Sequence, residues 1–154
     1  TLLYTKVKNL EIFPINYFSK KPFNNYGKFT GTAVATNIYS EPQLLLNIEG
    51  KQVSVNNTPV GELNITSKWD NFQKKFNIHL TNTLSGENPL VVTGTFRPKG
   101  SYLDLSAKAN KTAVAYFEPF LSDIISKSSG TISGDLNLRG ELDKLVLSSV
   151  IVIP

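Results

Sequence analysis

Cysteine and methionine are both missing from the 154 residues. Without thiols, disulfides and cysteine-ligated metals are excluded. One histidine, His79, is too little for a transition-metal site, and no metal or other cofactor is expected. Arginine is confined to Arg97 and Arg139, and the lysines are scattered, with doublets only at Lys20-Lys21 and Lys74-Lys75. The net charge of +4 therefore lacks the clustered basic residues and interleaved aromatics of a nucleic-acid surface, and no nucleic-acid partner is expected. No apolar run reaches the roughly 18 residues of a membrane-spanning helix, and no signal peptide is visible. The missing methionine, the start Thr1-Leu2-Leu3 and the apolar end Val150-Ile151-Val152-Ile153-Pro154 predict a segment of a longer protein whose neighbouring segments pair with its ends.

Catalytic groups are equally sparse. A hydrolase needs a nucleophile, a base and an orienting group, and His79 alternates with Ile78 and Leu80 in a way that puts it on a polar strand face. The twelve acids are dispersed, and the tightest grouping, Glu141-Leu142-Asp143, reads as a turn rather than an acid–base pair. No glycine-rich phosphate loop precedes a helix. The residue inventory opposes an enzyme.

What the chain does have is 40% hydrophobic residues, somewhat below the globular norm of about 45–50%, with 18% charged and an ordinary Gly 10 and Pro 8. A domain of this size can bury roughly 70% of its unfolded surface. Its dominant period is two. Leu44, Leu46 and Ile48 alternate with Leu45, Asn47 and Glu49; Phe76, Ile78 and Leu80 with Asn77 and His79; Leu103 and Leu105 with Asp104 and Ser106; Leu136 and Leu138 with Asn137 and Arg139. Such strands have one apolar and one polar face. Turn signals at Glu49-Gly50-Lys51, Asn56-Asn57-Thr58-Pro59, Ser85-Gly86, Arg97-Pro98-Lys99-Gly100 and Arg139-Gly140-Glu141 separate them. The pattern predicts a mainly β protein, an antiparallel meander of about ten strands: 3–11, 28–39, 43–49, 52–57, 61–69, 72–82, 89–97, 101–109, 130–139 and 144–153.

Two segments break the period. Phe117, Phe120, Leu121, Ile124 and Ile125 fall at i, i+3, i+4, i+7 and i+8, the stripe of a short amphipathic helix. That helix reads either as a plug on one end of the sheet or as a gate lying in a groove. The segment from Phe13 to Ser19 reads as a single helical turn. In each case an aromatic pair, Tyr17-Phe18 or Tyr116-Phe117, precedes a Gly-x-x-x-Gly strand opening, Gly27 to Gly31 or Gly130 to Gly134. The chain is read as one β-rich segment, 1–154, with sub-repeats over 13–109 and 114–154, the second truncated.

One-sided strands must cover their apolar face. One short helix cannot cover ten strands, so the sheet must curl, pack on a second sheet or hold an apolar guest. The lining candidates on the shared parity are Leu44, Leu46, Ile48, Leu63, Ile65, Phe76, Ile78, Leu80, Val92, Phe96, Leu103, Leu105, Leu136 and Leu138, with Gly94, Ala107, Ala109, Gly134 and Gly140 among them to relieve crowding. The bland alternative is that these residues simply pack a closed core.

The stretch from Phe117 to Leu147 carries a further signal: Phe-Glu-Pro-Phe-Leu, then Ser-Gly-Thr-Ile-Ser-Gly-Asp-Leu-Asn-Leu-Arg-Gly-Glu-Leu. This resembles the recurrent signature of the TamB family within the AsmA-like group, a short helix followed by glycine-spaced strands. Gly130, Gly134, Leu136, Leu138, Gly140 and Leu142 match it, while Lys144 or Leu145 stands where the family usually has proline. The resemblance implies a periplasmic protein anchored in the inner membrane of a Gram-negative-type envelope, with a taco-like or open half-barrel sheet and a greasy concave face. It implies a non-enzymatic role in outer-membrane biogenesis: shielding phospholipid acyl chains or nascent outer-membrane β-strands, beside a barrel-type outer-membrane assembly protein. The alternative is a secreted β-sandwich that binds carbohydrate or protein, with Trp69 near a turn as the stacking residue.

Overall fold

A computed structural model describes residues 2–10, 25–37, 39–55, 58–117 and 130–152. Nine strands form in chain order: β1 (Leu2–Leu10), β2 (Asn25–Thr36), β3 (Gln43–Val55), β4 (Thr58–Asp70), β5 (Lys75–Leu84), β6 (Glu87–Arg97), β7 (Tyr102–Ala113), β8 (Thr131–Glu141) and β9 (Val146–Val152). They make one sheet in sequential order, each strand antiparallel to the next. The mainly β class and the antiparallel meander expected from the period-two pattern are what the chain forms. The sheet is open and uncurled, with β1 and β9 at opposite edges, and does not take the curled, taco-like or half-barrel section expected from the sequence.

The described helical content is one 3-10 turn, Val114–Phe117, after β7. The amphipathic helix expected over Phe117, Phe120, Leu121, Ile124 and Ile125 lies outside the described residues except for the Phe117 backbone, and so does the turn expected at Phe13 to Ser19.

Several boundaries differ from expectation: β8 runs through the expected turn Arg139-Gly140-Glu141, β5 starts at Lys75 rather than at 72, and a third difference has a clear physical reason. Glu49-Gly50-Lys51 is not a turn; β3 runs straight through it. Gly50 pairs with Leu63 and Val53 with Gly61, and Gln52 sits at φ 52, so the ladder carries a bulge there. The extra residue switches the side-chain parity. Val53 and Val55 would otherwise continue the polar face; instead they are buried. A second bulge does the same in β7, where Lys111 has φ 50 and the register shifts between Ala109 and Thr112. Thr112 is thereby carried into the interior.

Both bulges lie at the same end of the sheet, and the core forms there. Phe29, Val53, Val55, Val60, Leu63, Ala109, Val114, Tyr116, Ile132 and Leu136 make one cluster, with Ile48, Leu80 and Leu90 packed on it. The Phe29 ring lies over Gly27 and Gly50, where a Cβ would come within 2.9 and 2.6 Å of it. The Tyr116 hydroxyl donates to the Pro59 carbonyl, tying the 3-10 turn to β4. Gly61, at φ +86, passes so close to β5 that a Cβ would sit 2.1 Å from the Thr83 carbonyl oxygen. Only glycine fits that crossing.

Candidate functional site

Register assigns faces. Residues paired across an antiparallel ladder lie on the same side. All fourteen lining candidates fall on one face of the sheet, in rows that cross the strands. The row Leu46–Ser67–Ile78–Gly94–Leu105–Leu138 runs from β3 to β8, and the next row outward is Trp69–Phe76–Phe96–Leu103–Gly140. On the core side are Ile48–Ile65–Leu80–Val92–Ala107–Leu136 and Gly50–Leu63–Asn82–Leu90–Ala109–Gly134.

The rows separate core from trough. At the end away from the bulges, Leu46, Ser67, Phe76, Ile78, Phe96, Leu103, Leu105, Leu138, Leu142 and Leu145 line a trough of about 370 Å³. Its floor dips because small residues alternate with large ones in the crossing row. Ser67 stands between Leu46 and Ile78, and Gly94 between Ile78 and Leu105. Gly94 is not replaceable: a Cβ would fall 2.1 Å from the Asp104 carbonyl oxygen. Seven of the expected lining residues meet in the trough. Leu63 and Leu136 belong to the core, Ile48 and Leu80 pack on it, and Leu44, Ile65 and Val92 are half-buried on the same face outside both. The trough runs across the strands, and six strands span roughly 24 Å at the usual spacing. Leu142 and Leu145 escape the alternation argument because they flank the β8–β9 turn. Their signal in the sequence is two leucines among Glu141, Asp143 and Lys144, held in place by Leu142 N–H donating to the Ser101 carbonyl (3.1 Å).

The opposite face is polar. Arg139 pairs with Asp104 (2.9 Å) and Ser106 donates to Asn137 (2.9 Å) on adjacent cross-strand sites. His79 is exposed on that face, aligned with Thr66 and Thr93. Among the described residues no group of acids and histidine could hold a metal, and no helix is long and apolar enough to cross a membrane. Gly130, Gly134 and Gly140 all hold positive φ (118, 136 and 135) at and within β8. Burial raises the pKa of the Tyr116 phenol above its ordinary value.

A second hollow, about 610 Å³, lies beside the β4–β5 turn and is lined by Glu41, Pro42, Gln43, Lys68, Trp69, Asp70, Asn71, Phe72 and Asn77. It is mixed polar and aromatic. Trp69, which lines the hollow, packs on Phe76, which lines the trough, with ring centres 4.9 Å apart.

No protein-family model matches the chain, and neither a curated protein nor a solved structure matches it.

Proposed function

We propose that this chain is a non-enzymatic, TamB-like segment of a cell-envelope protein whose trough shields phospholipid acyl chains between the inner and outer membranes. One observation carries the reading: among the described residues, nine apolar side chains and a single serine line one trough that crosses six strands. Its volume is that of a small-molecule site, which usually occupies roughly 300–1,000 Å³, and its length along the sheet exceeds one bilayer leaflet, about 15 Å of hydrocarbon. An apolar lining without convergent polar groups suits hydrocarbon and gives a polar substrate nothing to hold. The periplasmic setting, a membrane anchor elsewhere in the protein and a barrel-type outer-membrane partner belong to the same proposal, as does guidance of nascent outer-membrane strands along an open sheet edge.

Native mass spectrometry of the purified chain, followed by lipid extraction, tests it. The expected result is phospholipid bound in defined stoichiometry. Ser67→Phe, which places a ring over the trough floor, is expected to remove that lipid while leaving the melting temperature within a few degrees. A ligand-free wild type, or equal occupancy in the variant, refutes the acyl-chain reading.

A further inference from the structure

The connections at the trough end of the sheet carry aromatics that the fold does not use. Phe72, in the β4–β5 turn, is 94% exposed, and Tyr39, between β2 and β3, is 89% exposed. The two connections are neighbours because β3 and β4 pair, and both border the hollow at Trp69. A ring held in water at a turn tip is unfavourable unless something else covers it. Lysines accompany them. Lys74, Lys99 and Lys144 occupy the β4–β5, β6–β7 and β8–β9 turns, one in each, and such alternate turns stand about 10 Å apart. The acids at this end are partly engaged: Asp70 accepts from the Phe72 and Gln73 N–H groups (2.9 Å each), while Glu41, Glu141 and Asp143 remain. The local charge excess is small, so the aromatics supply most of the attraction.

We propose that this end of the sheet docks on a phospholipid bilayer, with Tyr39 and Phe72 entering the headgroup layer and the three turn lysines meeting lipid phosphates. The amphipathic ring of Tyr39 favours that depth, the apolar ring of Phe72 gains by leaving water, and lysines near an anionic leaflet add to both. The proposal rests on the acyl-chain reading of the trough, because it presents the trough end, with Phe76, Phe96 and Leu103 next to the turns, to the membrane that would supply the lipid.

Flotation with phosphatidylcholine vesicles, with and without phosphatidylglycerol, tests the docking, and the only tryptophan, Trp69, reports it by fluorescence. The wild type is expected to float with the vesicles, more with phosphatidylglycerol present, and Trp69 emission to shift to the blue. Tyr39→Ser combined with Phe72→Ser changes only exposed turn positions and is expected to weaken partitioning about tenfold or more. Absence of flotation, or flotation unchanged in the double variant, overturns the proposal. A Trp69 response to soluble oligosaccharides with none to vesicles also overturns it, in favour of a carbohydrate site in the hollow. Ser67→Phe separates the two ideas. Flotation without bound lipid in that variant supports docking by the turns. Lipid in the wild-type trough without flotation overturns the docking and leaves the trough reading standing.

Discussion

At the scale of single residues, Asn82 is the most constrained side chain in the apolar face. It sits between Leu63 and Leu90 in a crossing row and is fully buried. Val60 explains it. Val60 has no register partner in β3, where the register shifts between Gly61 and Pro59, and none in β5, whose pairing with β4 ends at Glu62. The Asn82 Nδ2 donates to the Val60 carbonyl (3.0 Å) and replaces the missing ladder bond. Its Oδ1 has no partner among the described residues. Asn82→Asp removes the donor, sets a carboxylate against a carbonyl and buries a charge. The expected loss at neutral pH is about 3 kcal/mol or more. Burial raises the folded-state pKa of such an acid above its unfolded value of about 3.9. The folded state then holds the proton more tightly, so the variant loses stability as pH rises and recovers it on acidification. Asn82→Leu loses the same hydrogen bond without a charge. Urea unfolding of the two variants at about pH 7 and about pH 4 should show the gap between them narrowing at the lower value. A constant gap would place position 82 in contact with solvent.

At the scale of elements, Tyr116 couples the 3-10 turn to β4 through its bond to the Pro59 carbonyl. Burial pushes the phenol above its usual value near 10. The folded state therefore retains the proton longer than the unfolded chain does. The contribution of Tyr116 is full below about pH 10 and falls as pH rises through the folded-state pKa. Tyr116→Phe should cost about 1 kcal/mol at neutral pH. The wild-type advantage should shrink above about pH 10, read by unfolding both proteins from pH 7 to 11. A difference that stays constant would mean the hydroxyl is free of the β4 contact. Elements also mark what could be read from the chain in advance. Alternation within each strand is local chemistry, and it places all fourteen lining candidates on one face. Division of that face into core and trough depends on cross-strand alignment, which alternation does not encode. Leu46 and Leu63 have the same pattern around them, yet register sets Leu46 opposite Ser67 and Leu63 opposite Gly50 and Asn82. The bulges at Gln52 and Lys111 were hidden for the same reason. A parity switch inside a strand looks like a turn until both neighbours are aligned with it.

At the scale of the whole molecule, the described strands leave the sheet two edges, β1 and β9, and they are unlike. β1 carries Lys6 and Lys8 and a register break between Val7 and Leu10, features that discourage further pairing. β9, Val146-Leu147-Ser148-Ser149-Val150-Ile151-Val152, carries no charge and, among the described residues, has a neighbour on one side only. A two-fold axis normal to the sheet would set β9 of two copies antiparallel about Ser149, with Val146 opposite Val152 and Leu147 opposite Ile151. That operation keeps corresponding faces of the two sheets on the same side, and in register Leu147 is aligned with Leu138. Aliphatic cross-strand pairs of this kind are each worth roughly 0.2–1 kcal/mol, and a net charge of +4 offers little repulsion. The chain is therefore expected to associate with rising concentration in sedimentation velocity. Val150 is aligned in register with Asp135, outside the rows that line the trough, so Val150→Lys places a charge on the edge. It should return the protein to monomer, whereas Leu3→Lys on β1 should leave association unchanged. A wild type that stays monomeric at high concentration would show the β9 edge to be protected. Association lost only in the Leu3 variant would move the contact to β1.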